Sequence, residues 1–464
     1  MASKFQTLLL VCATVSSTAF GMSATADSLL DAMRLAYETN PTLAINRAAL
    51  RTTDESVAQA IAARRGSLAL TSSANFSQAP ISSGNITDTY AISLNASLTL
   101  FDGGRGRDAV ASATESVLAA RASLSNAEQS VMLDAATAFL NVRRDVQFVT
   151  LSRNNVNVLK QQVQAAEDRF AVGAVTRTDV AQTQARLAAA QSNLAASRGA
   201  LAISAEIYRA TVGVAPNNLS APPALPHLPG SLAAAEEIAI RTHPLMQAAH
   251  HAEKSAALDM RRAQNARLPS LSANASVGGT YADDFFGNKQ WRDSASVGLS
   301  ASVPIYAGGS ISAAIRQAGT IVERRMAETQ NTRVVVRQNV AASWFELQIA
   351  NASIAASQLQ IEASQYAYDG IQQEAELGAR TVLDILNAEQ DLLNARTNLI
   401  SAMHKKSVAG YRLLAAMGLL TPENLELGIE LYDPGKNFDR IRNAPVSTFG
   451  AGQVLDGISD RWNR

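Results

Sequence analysis

The sequence predicts a mainly α-helical chain with a minor β component, in which four membrane-type strands are laid out as two tandem copies of one unit. Three observations predict this. An alternating run ends in an aromatic residue and two glycines, then gives way to a long unbroken segment, first at LTLFDGGRGR near position 100 and again at VPIYAGGSIS near position 305. Aligning Gly103-Gly104 with Gly308-Gly309 sets an offset of 205 that holds without a gap to the end of each half. Apolar residues make up 47% of the 464 positions but aromatics only 5%, a recipe that suits long helices packed side by side better than a sandwich or a deep enzyme cleft.

From the N-terminus, residues 1–26 read as a secretory signal, with Lys4, an apolar run through Val15, and Ala24 and Ala26 as an A-x-A-like cleavage site. Cys12, the one cysteine, lies inside it, and Val11 before it is too large for a lipidation site. The mature chain is therefore expected to hold no thiol, disulfide or cysteine-bound metal. No later run of about 18 apolar residues occurs, which argues against a helical membrane span. Lysine plus arginine balance aspartate plus glutamate at 40 each, so no basic field for nucleic acid exists.

The first unit covers residues 27–213 and the second 231–418, joined by a proline-rich linker at 214–230 whose five prolines exclude helix and central strand. Upstream of the glycines the offset is 203, matching Pro41 to Pro244 and Arg64 to Arg267. Strands are expected at about 67–78, 90–101, 270–281 and 294–306. Tyr90, Ile92, Leu94, Ala96, Leu98 and Leu100 alternate with small, mostly polar residues, and the second copy repeats the pattern. One apolar and one small polar face over about ten residues fits a tilted strand between lipid and water. Four strands cannot close a barrel, since the smallest have about eight. Two copies of the chain would supply eight strands and three would supply twelve.

Long helices are expected at about 104–171 and 309–376, each roughly 100 Å in length at about 1.5 Å per residue, with return helices at about 178–212 and 382–417. Val110, Val117, Leu124, Val131 and Ala138 recur every seven residues; the register then slips by four and continues through Val142, Val149, Val156, Val163 and Phe170. Such a stutter unwinds a left-handed supercoil and lets helices run straight, as in a wide cylinder. These stripes are coiled-coil wall, not a site. Gly103, Gly104, Gly308 and Gly309 mark the strand-to-helix switch, where positive φ relieves the bend. The tail, 419–464, is expected to be partly disordered, poorly ordered from about Asn443.

The ordered set ETNPTL and RTHPLM, LFDGG and VPIYAGG, VGAVTRTDV and LGARTVLDIL resembles the TolC family of bacterial outer-membrane channel-tunnels over about residues 27–430. The resemblance implies a homotrimer with a twelve-stranded transmembrane β-barrel, four strands per chain, continued by an α-helical barrel in the periplasm. It implies an exit duct in a tripartite efflux pump or a type I secretion system. The implied partners are a periplasmic adaptor, an inner-membrane RND or ABC transporter reached through it, and outer-membrane lipid. Val172, Gly173, Ala174, Leu377, Gly378 and Ala379 would form adaptor-contact tips, although a generic tight turn also explains the glycines.

Arg380, Asp384 and Asn387 have i, i+4, i+7 spacing, which on a helix gives one shared face. By the resemblance that face lines the periplasmic constriction, with Asp384 in the pore ring and Arg380 tied across a helix interface to Thr178 or Asp179. Asn387 stands where the family often has a second aspartate, and Ala375 where some members have a latch tyrosine. The plain alternative is a solvated i,i+4 pair, contributing about 0.3–0.5 kcal/mol.

His227, His243, His250, His251 and His404 show no metal spacing, and no nucleophile elbow, phosphate loop or dinucleotide fingerprint is present. No cofactor and no enzymatic activity are expected. Two other classes fit less well. A structural trimeric adhesin or stalk would gather its strands at the C-terminus, and a passive porin has no need of such helices.

Overall fold

The computed structural model describes residues 28–78, 86–226, 228–283 and 289–442. The secretory signal and the chain beyond 442 lie outside the described residues. The first half contains α1 (Leu29–Thr39), α2 (Pro41–Ala62), β1 (Ser67–Gln78), β2 (Ile86–Phe101), α3 (Arg105–Ala171) and α4 (Arg177–Val212). The second contains α5 (Leu232–Thr242), α6 (Pro244–Gln264), β3 (Ser270–Asp283), β4 (Lys289–Ser302), α7 (Ser310–Glu376) and α8 (Val382–Ala416); α9 (Pro434–Arg442) follows.

Each α1–α2 or α5–α6 break is a proline at the first helical position with a capping side chain before it. Asn40 Oδ1 accepts from the Thr42 N–H at 2.9 Å. In the second copy His243 Nδ1 accepts from the Leu245 N–H at 3.1 Å, a capping role its place beside the linker did not reveal. Burial holds the His243 imidazole below its usual pKa, which keeps that nitrogen free to accept.

The strands form one antiparallel sheet in the order β1-β2-β3-β4. Tyr90 pairs with Tyr281 and Tyr281 with Trp291; Leu94 pairs with Val277 and Val277 with Ala295. That face is apolar and solvent-open in a single chain, with Val297 90% and Leu299 71% exposed. The opposite face carries Thr71, Ser93, Asn95, Ser276 and Ser296, hydrogen-bonded to one another across strands. Among the described residues, both outer edges, β1 and β4, lack a partner strand.

Two strands differ in their bounds from expectation. β2 begins at Ile86 rather than about 90, and β4 runs from Lys289 to Ser302 rather than about 294–306. Pro304 explains the early stop of β4, since it has no N–H for a ladder. It occupies the position of Thr99, which in the first copy pairs with Ser272.

At the switch, Gly103 and Gly104 have φ of 70° and 88°, and Gly308 and Gly309 have 56° and 84°. Side chains strain that left-handed region. Gly103 is doubly constrained, because a Cβ there would lie 2.7 Å from Leu268 Cβ.

α3 and α7 are 67 residues each, roughly 100 Å long. Below the sheet the helices pack in the order α2, α3, α6, α7; farther away α3 packs on α4 and α8, and α8 on α7. The heptad stripe is buried from Val117 through Val156 across the stutter, but Phe170 is 47% exposed, so the stripe stops short of the tip. The largest core lies mid-length, where α1 and α5 cross the long helices, around Phe139, Tyr208, Tyr411, Met33 and Met132. The tail joins the waist through residue 442: the Arg47 guanidinium is sandwiched by the Tyr37 and Tyr432 rings at 4.8 and 5.1 Å.

Candidate functional site at the distal helical tips

Both long helices end in the same way. Gly173 and Gly378 take φ of 77° and 79° just past the helix end, and the next residue's N–H reaches back, Ala174 to the Arg169 carbonyl and Ala379 to the Glu374 carbonyl. This is the Schellman closure that only glycine enters cheaply. Val172, Gly173, Ala174, Leu377, Gly378 and Ala379 are all exposed. Val172 and Leu377 present apolar side chains to water at 80% and 87% exposure.

The return helices start with matching capping boxes. Thr176 accepts from the Asp179 N–H, and Asp179 Oδ2 accepts from the Thr176 N–H at 2.8 Å. Thr381 and Asp384 repeat this at 2.9 Å. Hydrogen bonds from the Thr176 hydroxyl and N–H hold Asp179 below the usual carboxylate range, and bonds from the Thr381 N–H and hydroxyl do so for Asp384. The T-x-x-D spacing is itself a capping-box signal, a local role beside the pore-ring place the resemblance implies for Asp384 and the Arg380 tie it implies for Asp179.

The expected gate residues are rearranged in part. Arg380 does not lie on a helix face; it sits in the turn before α8, and its Nε donates to Glu374 Oε2 at 2.7 Å. The tie to Thr178 or Asp179 is not made within the chain, because Asp179 caps its own helix and Thr178 stays exposed. Glu374 was missed, since a contact across a turn has no helical spacing. Asn387 accepts from Arg186 Nη2 of α4 at 3.2 Å, a link between the two halves. Arg380, Asp384 and Asn387 nonetheless line one shallow pocket of about 220 Å3 with Asp391 and Ile371. The sequence did not single out Glu389 either. It lies on α8, buried, with Oε2 unpartnered among the described residues.

A sheet with one apolar face, carried on 100 Å helices that end in two capped tips, defines a membrane-anchored channel-tunnel. Among the described residues, no helix is long and apolar enough to cross a membrane. The chain belongs to the outer membrane efflux protein family, which it matches over residues 32–213 and again over 237–419. It is 34% identical to the outer membrane efflux protein BepC of Brucella suis, over 91% of this chain and 92% of that one. Outer membrane protein TolC of Escherichia coli is 25% identical over 64% of this chain and 63% of its own. The outer membrane protein VceC of Vibrio cholerae shares the fold, with a TM-score of 0.72 at 21% identity over 84% of this chain and 96% of that one. The chain is thus an outer-membrane channel of the efflux and secretion type, with its helical part in the periplasm. The family forms channels and is not a family of enzymes.

Proposed function

We propose that three copies of this chain close a twelve-stranded barrel over one helical tunnel, as a gated exit duct for drugs or secreted proteins. The observation that carries this reading is the four-strand sheet with two unpaired edges and a polar inner face. The exposed tips around Val172 and Leu377 dock a periplasmic adaptor, and through it an inner-membrane RND or ABC transporter supplies the energy. Arg380, Asp384 and Asn387, with Asp179 and Thr178 of the neighbouring tip, form the periplasmic constriction. Three Asp384 carboxylates around one axis focus a negative field there.

Planar-bilayer recording of the reconstituted protein tests this. Arg380→Ser is expected to raise single-channel conductance, because it frees the turn from Glu374. Asp384→Asn is expected to weaken block by trivalent cations while sparing most of the cap, whereas Asp384→Ala also loses the cap, at about 1 kcal/mol. Unchanged conductance and unchanged block would remove these residues from the constriction. Absence of any pore would overturn the duct itself.

A further inference from the structure

The apolar face of the sheet runs from the Tyr90, Tyr281 and Trp291 row to Phe101 and Leu271. At about 3.3 Å per residue and a tilt near 40°, it covers roughly 25 Å, the height of a barrel's apolar band. At one end the band closes with an ion pair, Lys289 Nζ to Asp88 Oδ2 at 2.9 Å. At the other, arginines stand at three of the four strand–helix junctions, Arg64 before β1, Arg105 and Arg107 opening α3 and Arg262 before β3, while Arg316 lies two turns into α7.

Arg64 and Arg262 lie at the C-terminal ends of α2 and α6, where the helix dipole favours a cation, but the dipole does not explain the arginines that open α3. Arg105 and Arg107 stand in the first turn of α3, at the positive end of its dipole, where a cation is unfavourable. Nearby carboxylates neutralise the belt only in part, at Arg262. Asp102 accepts from the Gly104 and Gly106 N–H groups, and Asp108 is held by Arg261 at 2.8 Å and Asn265 at 2.9 Å. Asp259 pairs with Arg262 at 3.4 Å. Among the described residues no carboxylate pairs with Arg64, Arg105, Arg107 or Arg316. A groove of about 960 Å3 joins the two chemistries, with Arg64, Arg105 and Arg262 beside Leu98, Phe101 and Ile321; Asp102, turned to the Gly104 and Gly106 N–H groups, and Asp259, paired with Arg262, also line it. Leu98 belongs to the apolar band itself, in the row of Ala273 and Leu299.

We propose that this arginine belt binds the phosphate headgroups of anionic phospholipids in the periplasmic leaflet, with acyl chains continuing along Leu98 and Phe101. Guanidinium forks match phosphate oxygens in pairs and are weakly hydrated, which suits a headgroup layer better than lysine does. The belt fixes how deep the barrel sits, since the arginines cannot enter the hydrocarbon and the leucines cannot leave it.

The test is native mass spectrometry of the full-length mature protein, delipidated in nonionic detergent and titrated with phosphatidylglycerol or with phosphatidylcholine of the same chains. The wild type is expected to retain phosphatidylglycerol about tenfold better at low salt, as surface charge attraction requires. The combined Arg64→Gln, Arg105→Gln, Arg262→Gln variant is expected to lose the preference, and the same three changes to lysine to keep part of it. Should the triple variant fail to assemble, Arg105→Gln alone is expected to halve the preference. Equal retention of both lipids by the wild type overturns the proposal. So does an unchanged preference in the glutamine variants, or an effect confined to the pore's ion selectivity, which would place the belt on the lumen. The inference rests on the outer-membrane channel reading, and pore formation by the same preparation reports on that reading separately.

Discussion

Among the described residues of the distal end, Glu389 is the carboxyl that burial alone displaces, pushing it up to about 7. Its Oε2 has no partner among the described residues, and the titratable group facing it is the Tyr368 hydroxyl of α7, raised first by burial and further by the Glu389 charge. Because the folded-state value lies above the ordinary 4.5, the stabilising protonated form is fully present below about 4.5 and its contribution is lost as pH rises through about 7. A Tm series from pH 6 to 8 is expected to fall for the wild type, as about 1 kcal/mol of stability is lost across that window, and to stay flatter for Glu389→Gln. Equal slopes would contradict it. This residue could not be found by pattern, because its meaning depends on which helices surround it. Asp179 and Asp384 are the opposite case: their T-x-x-D spacing states the cap outright, while the pore-ring place of Asp384 and the Arg380 tie of Asp179 came from the resemblance alone.

Among the elements, the long helices and paired glycines were legible because their signals are local: absence of breakers, seven-residue recurrence, and a conformation that demands glycine. The start of β2 and the end of β4 were not, because strand ends depend on the partner, and Pro304 decided the second by removing a donor. The tail was the least legible. Its first part, punctuated by glycine and proline, docks through side chains that show no periodicity. Tyr432 stacks on Arg47, its N–H donates to the Tyr37 hydroxyl at 3.2 Å, and the Phe438 ring lies 5.1 Å from the Arg121 guanidinium. Tyr432→Ala is expected to cost about 1–2 kcal/mol and lower Tm by a few degrees, through a lost cation–π contact and lost ring burial. An unchanged Tm would mean the tail only rests on the waist.

For the whole molecule, the decisive feature is incompleteness. One chain offers lipid an apolar face whose sheet ends in two open edges, and no backbone donor or acceptor tolerates hydrocarbon unpaired. The same chain leaves a polar strip of Ser, Thr and Asn on the other face, which makes sense only against water. Periodicity in the sequence reached as far as four strands per chain; the number of chains came from the resemblance, because shear and curvature leave no mark in a single strand. Copy number is therefore the most direct measurement, made as the mass of the detergent-solubilised particle by light scattering coupled to size exclusion. Three chains per particle is the predicted result, and a particle that stays a folded monomer would contradict the account.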